Sequence, residues 1–175
     1  MANITIQKIG ITDIVVDAIV NAANEGLWQG GGVCGFIFRA AGSYQLTQAC
    51  QKIGHCPTGS AVITPGFQSK AKYIIHAVGP VYDANQEEKC GRLLYDAYKR
   101  SLELCIPNDI HSIAFPLISA GIFGYPLQGA WNKAIRACVN WSKKNPDYDL
   151  DIIFTVLDDR ILKIGNATLS KILSQ

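Results

Sequence analysis

Residues 19–35 contain a short β-branched run, two asparagines and three consecutive glycines: Ile19-Val20-Asn21-Ala22-Ala23-Asn24-Glu25-Gly26-Leu27-Trp28-Gln29-Gly30-Gly31-Gly32-Val33-Cys34-Gly35. An apolar helical pattern begins directly after the glycines. Glycine permits positive φ and lets a backbone approach a ligand closely. A helix that starts here has free N–H groups and the positive end of its dipole at the loop. The stretch therefore predicts a strand, an anion-binding loop and a helix in succession, and phosphate is the anion that this geometry favours.

Strands and helices alternate along the rest of the chain. The patterns predict strands at residues 4–7, 18–20, 60–64, 73–78, 111–115 and 151–157. They predict helices at residues 33–41, 43–53, 87–105 and 159–173, and another helix after residue 126. This alternation indicates a single domain over residues 1–175, with a three-layer α/β/α fold and a central mixed, largely parallel sheet.

A second glycine-rich loop lies between a predicted buried strand and an amphipathic helix. It reads Pro116-Leu117-Ile118-Ser119-Ala120-Gly121-Ile122-Phe123-Gly124-Tyr125-Pro126. Ligands of such sheets bind at the carboxyl ends of the strands. We call residues 21–32 the first loop and residues 116–126 the second loop, and together they could hold a diphosphate with backbone N–H groups alone.

The charge pattern fits a compact anionic ligand better than a nucleic acid. The 175 residues carry a net charge of only +2, which argues against binding nucleic acid through bulk charge. No Asp or Glu occurs between Glu25 and Asp83. The same stretch contains four basic residues: Arg39, Lys52, Lys70 and Lys72.

The cysteine pattern favours reduced, mostly buried thiols in a cytoplasmic protein. The six cysteines are Cys34, Cys50, Cys56, Cys90, Cys105 and Cys138, and none forms a Cys-x-x-Cys pair. We find neither a signal peptide nor an apolar run long enough to cross a membrane. His55 and Cys56 are adjacent but lack spaced partners, so we expect no metal site.

Gly30-x-Gly32-x-x-Gly35 matches the dinucleotide-binding fingerprint only in its letters. That fingerprint directly follows a strand and requires an acidic residue about 20 positions later. Here ten residues separate Val20 from Gly30, and the downstream region contains no acid. A nicotinamide-dependent oxidoreductase is therefore not indicated.

Five segments, in order, resemble the macrodomain family. They are residues 16–24, 30–33, 59–64, 75–80 and 114–126, and they extend over nearly the whole chain. The resemblance is closest to the hydrolase branch, which removes ADP-ribose from proteins and deacetylates O-acetyl-ADP-ribose. It implies ADP-ribose, an ADP-ribosylated protein or O-acetyl-ADP-ribose as binding partner, no cofactor, and a monomer.

The resemblance also implies a site. Asn24 matches the asparagine that hydrogen-bonds the distal ribose, and Phe123 matches an aromatic residue that packs beside that ribose. Ile11 matches a position at the adenine edge. The expected ligand-binding residues are Gly10, Ile11, Ala22, Asn24, Gly30, Gly31, Gly32, Val33, Ser119, Ala120, Gly121, Ile122, Phe123 and Leu157. The expected catalytic residues are Asn24 and Cys34.

Several of these residue types also have plain structural interpretations. Asn21 would satisfy loop backbone, as asparagine commonly does. His76 would be a hydrogen-bonded core histidine, and Asp17 a turn or strand-start residue. Phe123 would simply pack. Cys34 would be a small residue that packs the first turn of its helix.

Three positions depart from the family pattern. Gly10 stands where the family commonly has an Asp that binds the adenine amino group, and losing a charged acceptor costs about 1.5–3 kcal/mol. Leu157 replaces an aromatic residue that stacks on adenine. Cys34 replaces an Asp of the hydrolase branch that would position or deprotonate a water, although a phosphate oxygen of the substrate could activate the water instead. Glu25 is a further candidate base.

These features predict an ADP-ribose-binding protein that hydrolyses a bond at the distal ribose. Two alternatives stay open: a reader module that binds ADP-ribose without turnover, and the same fold with a ligand other than ADP-ribose. We also expect Gly10→Asp to tighten ADP-ribose binding.

Overall fold

The protein folds around one six-stranded sheet in the order β1-β6-β5-β2-β4-β3, as described by a computed structural model for residues 2–175. The strands are β1 (Ala2–Lys8), β2 (Ala18–Ala22), β3 (Ala61–Pro65), β4 (Tyr73–Ala77), β5 (Ser112–Phe115) and β6 (Leu150–Val156). β3 pairs antiparallel with β4, and every other pairing is parallel. The predicted mixed, largely parallel sheet is confirmed.

Five α-helices cover the two faces of the sheet. They are α1 (Gly32–Ala41), α2 (Ser43–Ile53), α3 (Glu87–Glu103), α4 (Leu127–Lys144) and α5 (Asp159–Leu173). A 3₁₀ turn at Ala84–Gln86, which the pattern did not predict, precedes α3. The three-layer α/β/α prediction is confirmed.

Side-chain alternation along the central strands creates two cores. Ala18 and Val20 of β2 belong to the larger core beneath α3, α4 and α5. Ile19, between them, faces the smaller core beneath α1 and α2. Because strand side chains point to opposite faces in turn, one short apolar strand supplies both layers.

All six cysteines are buried free thiols, in agreement with the sequence prediction. Among residues 2–175, no helix combines the length and the apolar character that a membrane span requires.

Candidate functional site

The predicted site residues lie along one edge of the sheet. Parallel strands β1, β6, β5 and β2 are consecutive neighbours, so their carboxyl ends meet at this edge. Gly10 and Ile11 follow β1, Leu157 follows β6, and the second loop follows β5. Ala22 ends β2 and leads into the rest of the first loop. The residues expected to contact adenine therefore lie at one end of this edge, and those expected to contact the distal ribose lie at the other end.

The Asn24 side chain closes a turn within the first loop through two hydrogen bonds to the backbone of Trp28. Its Nδ2 donates to the Trp28 carbonyl at 2.9 Å, and its Oδ1 accepts the Trp28 N–H at 3.1 Å. An amide nitrogen has two hydrogens and an amide oxygen has two lone pairs, so each atom can still bind one more group. The side chain thus shapes the loop and remains available to a ligand.

Asn24 and Cys34 converge at Gly30. A Cβ at Gly30 would lie 3.8 Å from Asn24 Nδ2 and 3.9 Å from Cys34 Sγ. The two residues predicted to be catalytic therefore border the same small volume. They come from different elements, because Asn24 belongs to the first loop and Cys34 to the first turn of α1.

The Cys34 sulfur accepts two N–H groups. The Gly30 amide lies 3.4 Å from Sγ and Asn21 Nδ2 lies 3.5 Å from it, while the thiol is directed at the Trp28 carbonyl 3.9 Å away. Asn21 does not satisfy loop backbone, as its plain interpretation supposed. Its amide instead bridges Cys34 and His76, whose Nδ1 is 3.1 Å from Asn21 Nδ2.

Both loops present consecutive backbone N–H groups without a protein acceptor. In the first loop and the start of α1, these are the amides of Gly31, Gly32, Val33 and Cys34. In the second loop they are the amides of Gly121, Ile122 and Phe123. No residue between 2 and 175 accepts a hydrogen bond from these amides. No side chain caps α1 and no acid lies in its first turn, so its positive end is uncompensated.

The glycine backbones of both loops face open space. A Cβ at Gly31, Gly32 or Gly121 would have no neighbouring atom within 4 Å. Each loop also holds a non-glycine residue in the left-handed region, Leu27 at φ 58° and Ser119 at φ 67°. Such strain concentrates at ligand-binding sites, because only a well-fixed surrounding structure can maintain it.

Residues outside the predicted set fix the second loop. The buried Tyr98 hydroxyl of α3 accepts the Ile118 N–H at 2.8 Å and donates to the Pro116 carbonyl at 3.2 Å. A Cβ at Gly79 would lie only 2.2 Å from Ser119 Oγ, so only a glycine at this position leaves room for the second loop. Gly79 lies in a segment that carries the family resemblance, but nothing in the sequence predicted this contact, and Tyr98 was indistinguishable from a core residue on its helix.

The adenine end differs from expectation in one contact. Gly10 has no side chain, but the Asp13 carboxylate folds back onto it, and a Cβ at Gly10 would lie 2.6 Å from Asp13 Oδ2. The Asp13 amide donates to the Gly10 carbonyl at 3.0 Å and holds this turn. The space that Gly10→Asp would need is therefore already occupied by a carboxylate, which undermines the expectation that this substitution alone tightens binding.

Ile11 and Leu157, the other two residues expected at the adenine end, differ in burial. Ile11 is buried in the smaller core, so its side chain serves packing and its backbone lines the edge. Leu157 lies just beyond β6, which ends one residue earlier than predicted, and 74% of it is exposed. An exposed leucine at this point offers an apolar contact without stacking.

The two acidic candidates both have hydrogen-bond partners within the protein. The Glu25 carboxylate accepts the Thr58 backbone N–H at 3.0 Å and the Thr58 hydroxyl at 3.1 Å, and these hydrogen bonds lower the pKa of Glu25. Oε2 of Glu25 is therefore turned toward Thr58. Asp17 accepts the His111 N–H at 2.8 Å at the opposite end of the strands, as its structural interpretation predicted.

Other concave surfaces and side-chain clusters offer no comparable chemistry. A groove of about 280 Å³ lies between α3 and α4, and another of about 590 Å³ lies between residues 57–61 and α3. Neither includes a residue of the two loops. Among residues 2–175, no three His, Cys, Asp or Glu side chains come together in a way that could hold a metal ion.

Comparison with known proteins agrees with this architecture. The Macro domain family matches residues 20–134. The chain is 41% identical over 165 residues to the O-acetyl-ADP-ribose deacetylase of Escherichia fergusonii, covering 92% of each chain. It is 43% identical over 168 residues to the ADP-ribose glycohydrolase MACROD2 of Xenopus laevis, covering 96% of this chain and 40% of that protein.

A solved structure gives the same result in three dimensions. The Oceanobacillus iheyensis macrodomain with ADP superimposes with a TM-score of 0.89 at 35% identity, covering 97% of this chain and 90% of the other. The chain belongs to the macro domain family.

Proposed function

We propose that this protein binds ADP-ribose and hydrolyses a bond at its distal ribose. The bond joins the ribose either to a protein side chain or to an acetyl group. One observation carries the proposal: two rows of unpartnered N–H groups line adjacent strand ends, beside the point where Asn24 and Cys34 converge on Gly30. A diphosphate with a ribose attached is the ligand that this arrangement suits.

The diphosphate assignment follows from the chemistry of the loops. Backbone amides at a helix start, together with its dipole, favour an anion, and two rows at neighbouring strand ends suit two linked phosphates. The acid-free stretch from Gly26 to Tyr82 includes the first loop, so no carboxylate of that stretch repels the ligand. The ADP in the Oceanobacillus iheyensis structure and the names of the two relatives support this ligand class.

In the proposed site Asn24 orients the distal ribose. Its amide keeps one free donor and one free acceptor position after closing the turn with Trp28, enough for a ribose hydroxyl and a water. Cys34 lines the position of the attacking water. Because its sulfur already accepts two N–H groups, we assign activation of the water to a phosphate oxygen of the substrate.

A reader module without turnover is the second candidate, and the state of Cys34 favours it. A general base must reach the water whose proton it takes. The sulfur is engaged with Asn21 and Gly30, and the Glu25 carboxylate is held by Thr58. If phosphate activation fails, the site binds and orients its ligand without cleaving it.

A ligand other than ADP-ribose is the third candidate, and the adenine end favours it. Gly10 supplies no acceptor and Leu157 cannot stack on a base. The loops would then hold the same diphosphate-ribose with relaxed selection of the base.

The test is release of label from a mono-ADP-ribosylated protein and of acetate from O-acetyl-ADP-ribose, measured alongside calorimetric binding of ADP-ribose. We expect turnover by the wild type, loss of turnover in Asn24→Ala, and only a small change in Cys34→Ala. Asn166→Ala, an exposed asparagine on α5, is the matched control. Stoichiometric binding without release would reject hydrolysis and leave the reader module. Turnover lost in Cys34→Ala would return the sulfur to a direct catalytic role.

A further inference from the structure

A chain of four buried polar side chains runs from the first loop into the protein interior. Cys34, Asn21, His76 and Thr64 belong to α1, β2, β4 and β3, respectively. Cys34 Sγ lies 3.5 Å from Asn21 Nδ2, which lies 3.1 Å from His76 Nδ1. His76 Nε2 lies 3.0 Å from Thr64 Oγ1. The chain spans three neighbouring strands and ends at the site.

The far end of this chain fixes the direction of its hydrogen bonds. Thr64 Oγ1 lies 3.5 Å from the Ile74 carbonyl, which can only accept, so the hydroxyl donates to it. Thr64 Oγ1 is then the acceptor for His76 Nε2–H. Burial lowers the pKa of His76 to about 4, so near neutral pH the ring carries a single N–H. Nε2 has two neighbours that can accept a hydrogen, Thr64 Oγ1 at 3.0 Å and Cys50 Sγ at 3.8 Å, and we assign the hydrogen to Nε2 on that ground.

The same logic continues to the sulfur. With its hydrogen on Nε2, His76 has a bare Nδ1, which must accept from the Asn21 amide nitrogen. The second hydrogen of that nitrogen is directed at Cys34 Sγ. The Asn21 oxygen is buried and has no partner among residues 2–175.

We propose that His76 is a positioning residue for the Cys34 sulfur, acting through Asn21. Because Nδ1 of His76 carries no hydrogen, it accepts one N–H of the Asn21 amide, and this directs the other N–H toward the sulfur. The Gly30 backbone amide is a second donor to the sulfur, from the first loop. Two N–H donors stabilise negative charge on sulfur. The sulfur consequently faces the site as a hydrogen-bond acceptor, and we expect it to react faster with electrophiles than a buried thiol that only donates. Its catalytic relevance rests on the proposed function, but the positioning itself is a property of the ligand-free protein.

The protein contains a second buried thiol that serves as an internal reference for the reactivity of Cys34. Cys90 lies in the first turns of α3 and is 5% exposed, against 6% for Cys34 in the first turn of α1. Both thiols donate to a carbonyl: Cys34 to Trp28 at 3.9 Å, and Cys90 to Val81 at 3.7 Å and to Asp83 at 4.0 Å. Only the Cys34 sulfur also accepts N–H groups, so at equal burial the ratio of the two alkylation rates measures the effect of those donors.

The test combines two measurements on ligand-free protein. Nitrogen NMR of the His76 ring should show a single Nε2–H tautomer, and iodoacetamide should alkylate Cys34 faster than Cys90, as read by peptide mass spectrometry. Thr64→Val removes the acceptor of Nε2–H and should release the Nδ1–H tautomer. It should also lower the Cys34-to-Cys90 rate ratio by roughly three- to tenfold, the rate equivalent of one hydrogen bond.

The control is Thr155→Val. Thr155 is a buried threonine on β6 whose hydroxyl donates to the Phe115 carbonyl at 3.3 Å, outside the polar chain. This variant should leave the tautomer and the ratio unchanged. An Nδ1–H tautomer in the wild type, equal alkylation of the two thiols, or an unchanged ratio in folded Thr64→Val would each overturn the proposal. If Thr64→Val does not fold, the wild-type tautomer still decides.

These outcomes are independent of hydrolysis. A protein with the expected tautomer and thiol rates but without turnover would reject the proposed enzyme and leave the positioning intact. In an active enzyme, Thr64→Val should change kcat as little as Cys34→Ala does and leave KM unchanged, because Thr64 touches no ligand-binding loop.

Discussion

The contact between Gly10 and Asp13 makes the adenine end of the site testable by a double-mutant cycle. We predict that Gly10→Asp alone changes ADP-ribose affinity little. The combination of Gly10→Asp with Asp13→Ala should tighten it. Any new side chain at Gly10 must displace the Asp13 carboxylate, because its Cβ would lie 2.6 Å from Oδ2.

The magnitudes of the opposing effects are similar. A new carboxylate acceptor for the adenine amino group contributes about 1.5–3 kcal/mol. Two carboxylates about 4 Å apart repel by about 1 kcal/mol in water and about 4 kcal/mol near a protein surface. In the free variant the exposed Asp13 side chain can turn away from the new carboxylate, whereas contact with adenine holds the new carboxylate beside Gly10 and near Asp13. The repulsion is then incurred on binding and offsets the new contact, so we expect almost no net gain for the single variant. Once Asp13→Ala removes the repulsion, the affinity should rise by roughly ten- to a hundredfold relative to Asp13→Ala.

Isothermal calorimetry with ADP-ribose measures the four corners of the cycle. An analogue whose adenine amino group is replaced by oxygen is the control, because it has no donor for the new carboxylate and should show no gain. Tenfold tighter binding by Gly10→Asp alone would refute the role given to Asp13. No gain in the double variant over Asp13→Ala would refute the placement of adenine beside Gly10.

Three further predictions concern the second loop and the buried histidine. Gly121→Val should leave the melting temperature unchanged but abolish ADP-ribose binding in calorimetry, since its side chain enters open space beside the free amides of the second loop; retained affinity would place the ligand elsewhere. Tyr98→Phe should cost about 1–3 kcal/mol of unfolding free energy in urea, because two buried backbone groups lose their partner; a change near zero would mean that the second loop holds itself. Burial lowers the pKa of His76 to about 4, whereas the unfolded chain protonates it near 6.5, so stability should be full above pH 6.5 and decline as the pH falls toward 4. Thermal melts of the double variant His55→Gln and His111→Gln, in which His76 is the only histidine, check this, and a flat profile would contradict it.

The layered fold and both loops were predictable because local signals specify them. The alternation in β2 assigns Ile19 to one face and Val20 to the other, and the glycines place the start of α1 within one residue. Strand ends were less certain. Leu157 continues the apolar run of β6 but lies beyond its last paired residue, since pairing with β1 ends at Val156.

The roles of individual side chains were harder to predict. Asn21 was expected to satisfy loop backbone, yet it bridges His76 and Cys34, residues 55 and 13 positions away in sequence. Tyr98 follows the apolar stripe of α3, and nothing local distinguishes it from a packing residue. Only the approach of the second loop gives its hydroxyl two backbone partners.

The sequence by itself determined the fold class, the family resemblance and the two glycine-rich loops, because periodicity, glycine and turn residues act over a few positions. The tertiary structure decided which polar groups meet: Asp13 with Gly10, Glu25 with Thr58, and the buried chain from Thr64 to Cys34. Such contacts depend on strand order and on which side chain fills a given space. A hydrogen bond requires its two atoms within about 3.5 Å, and spacing along the chain does not specify that for residues of different strands.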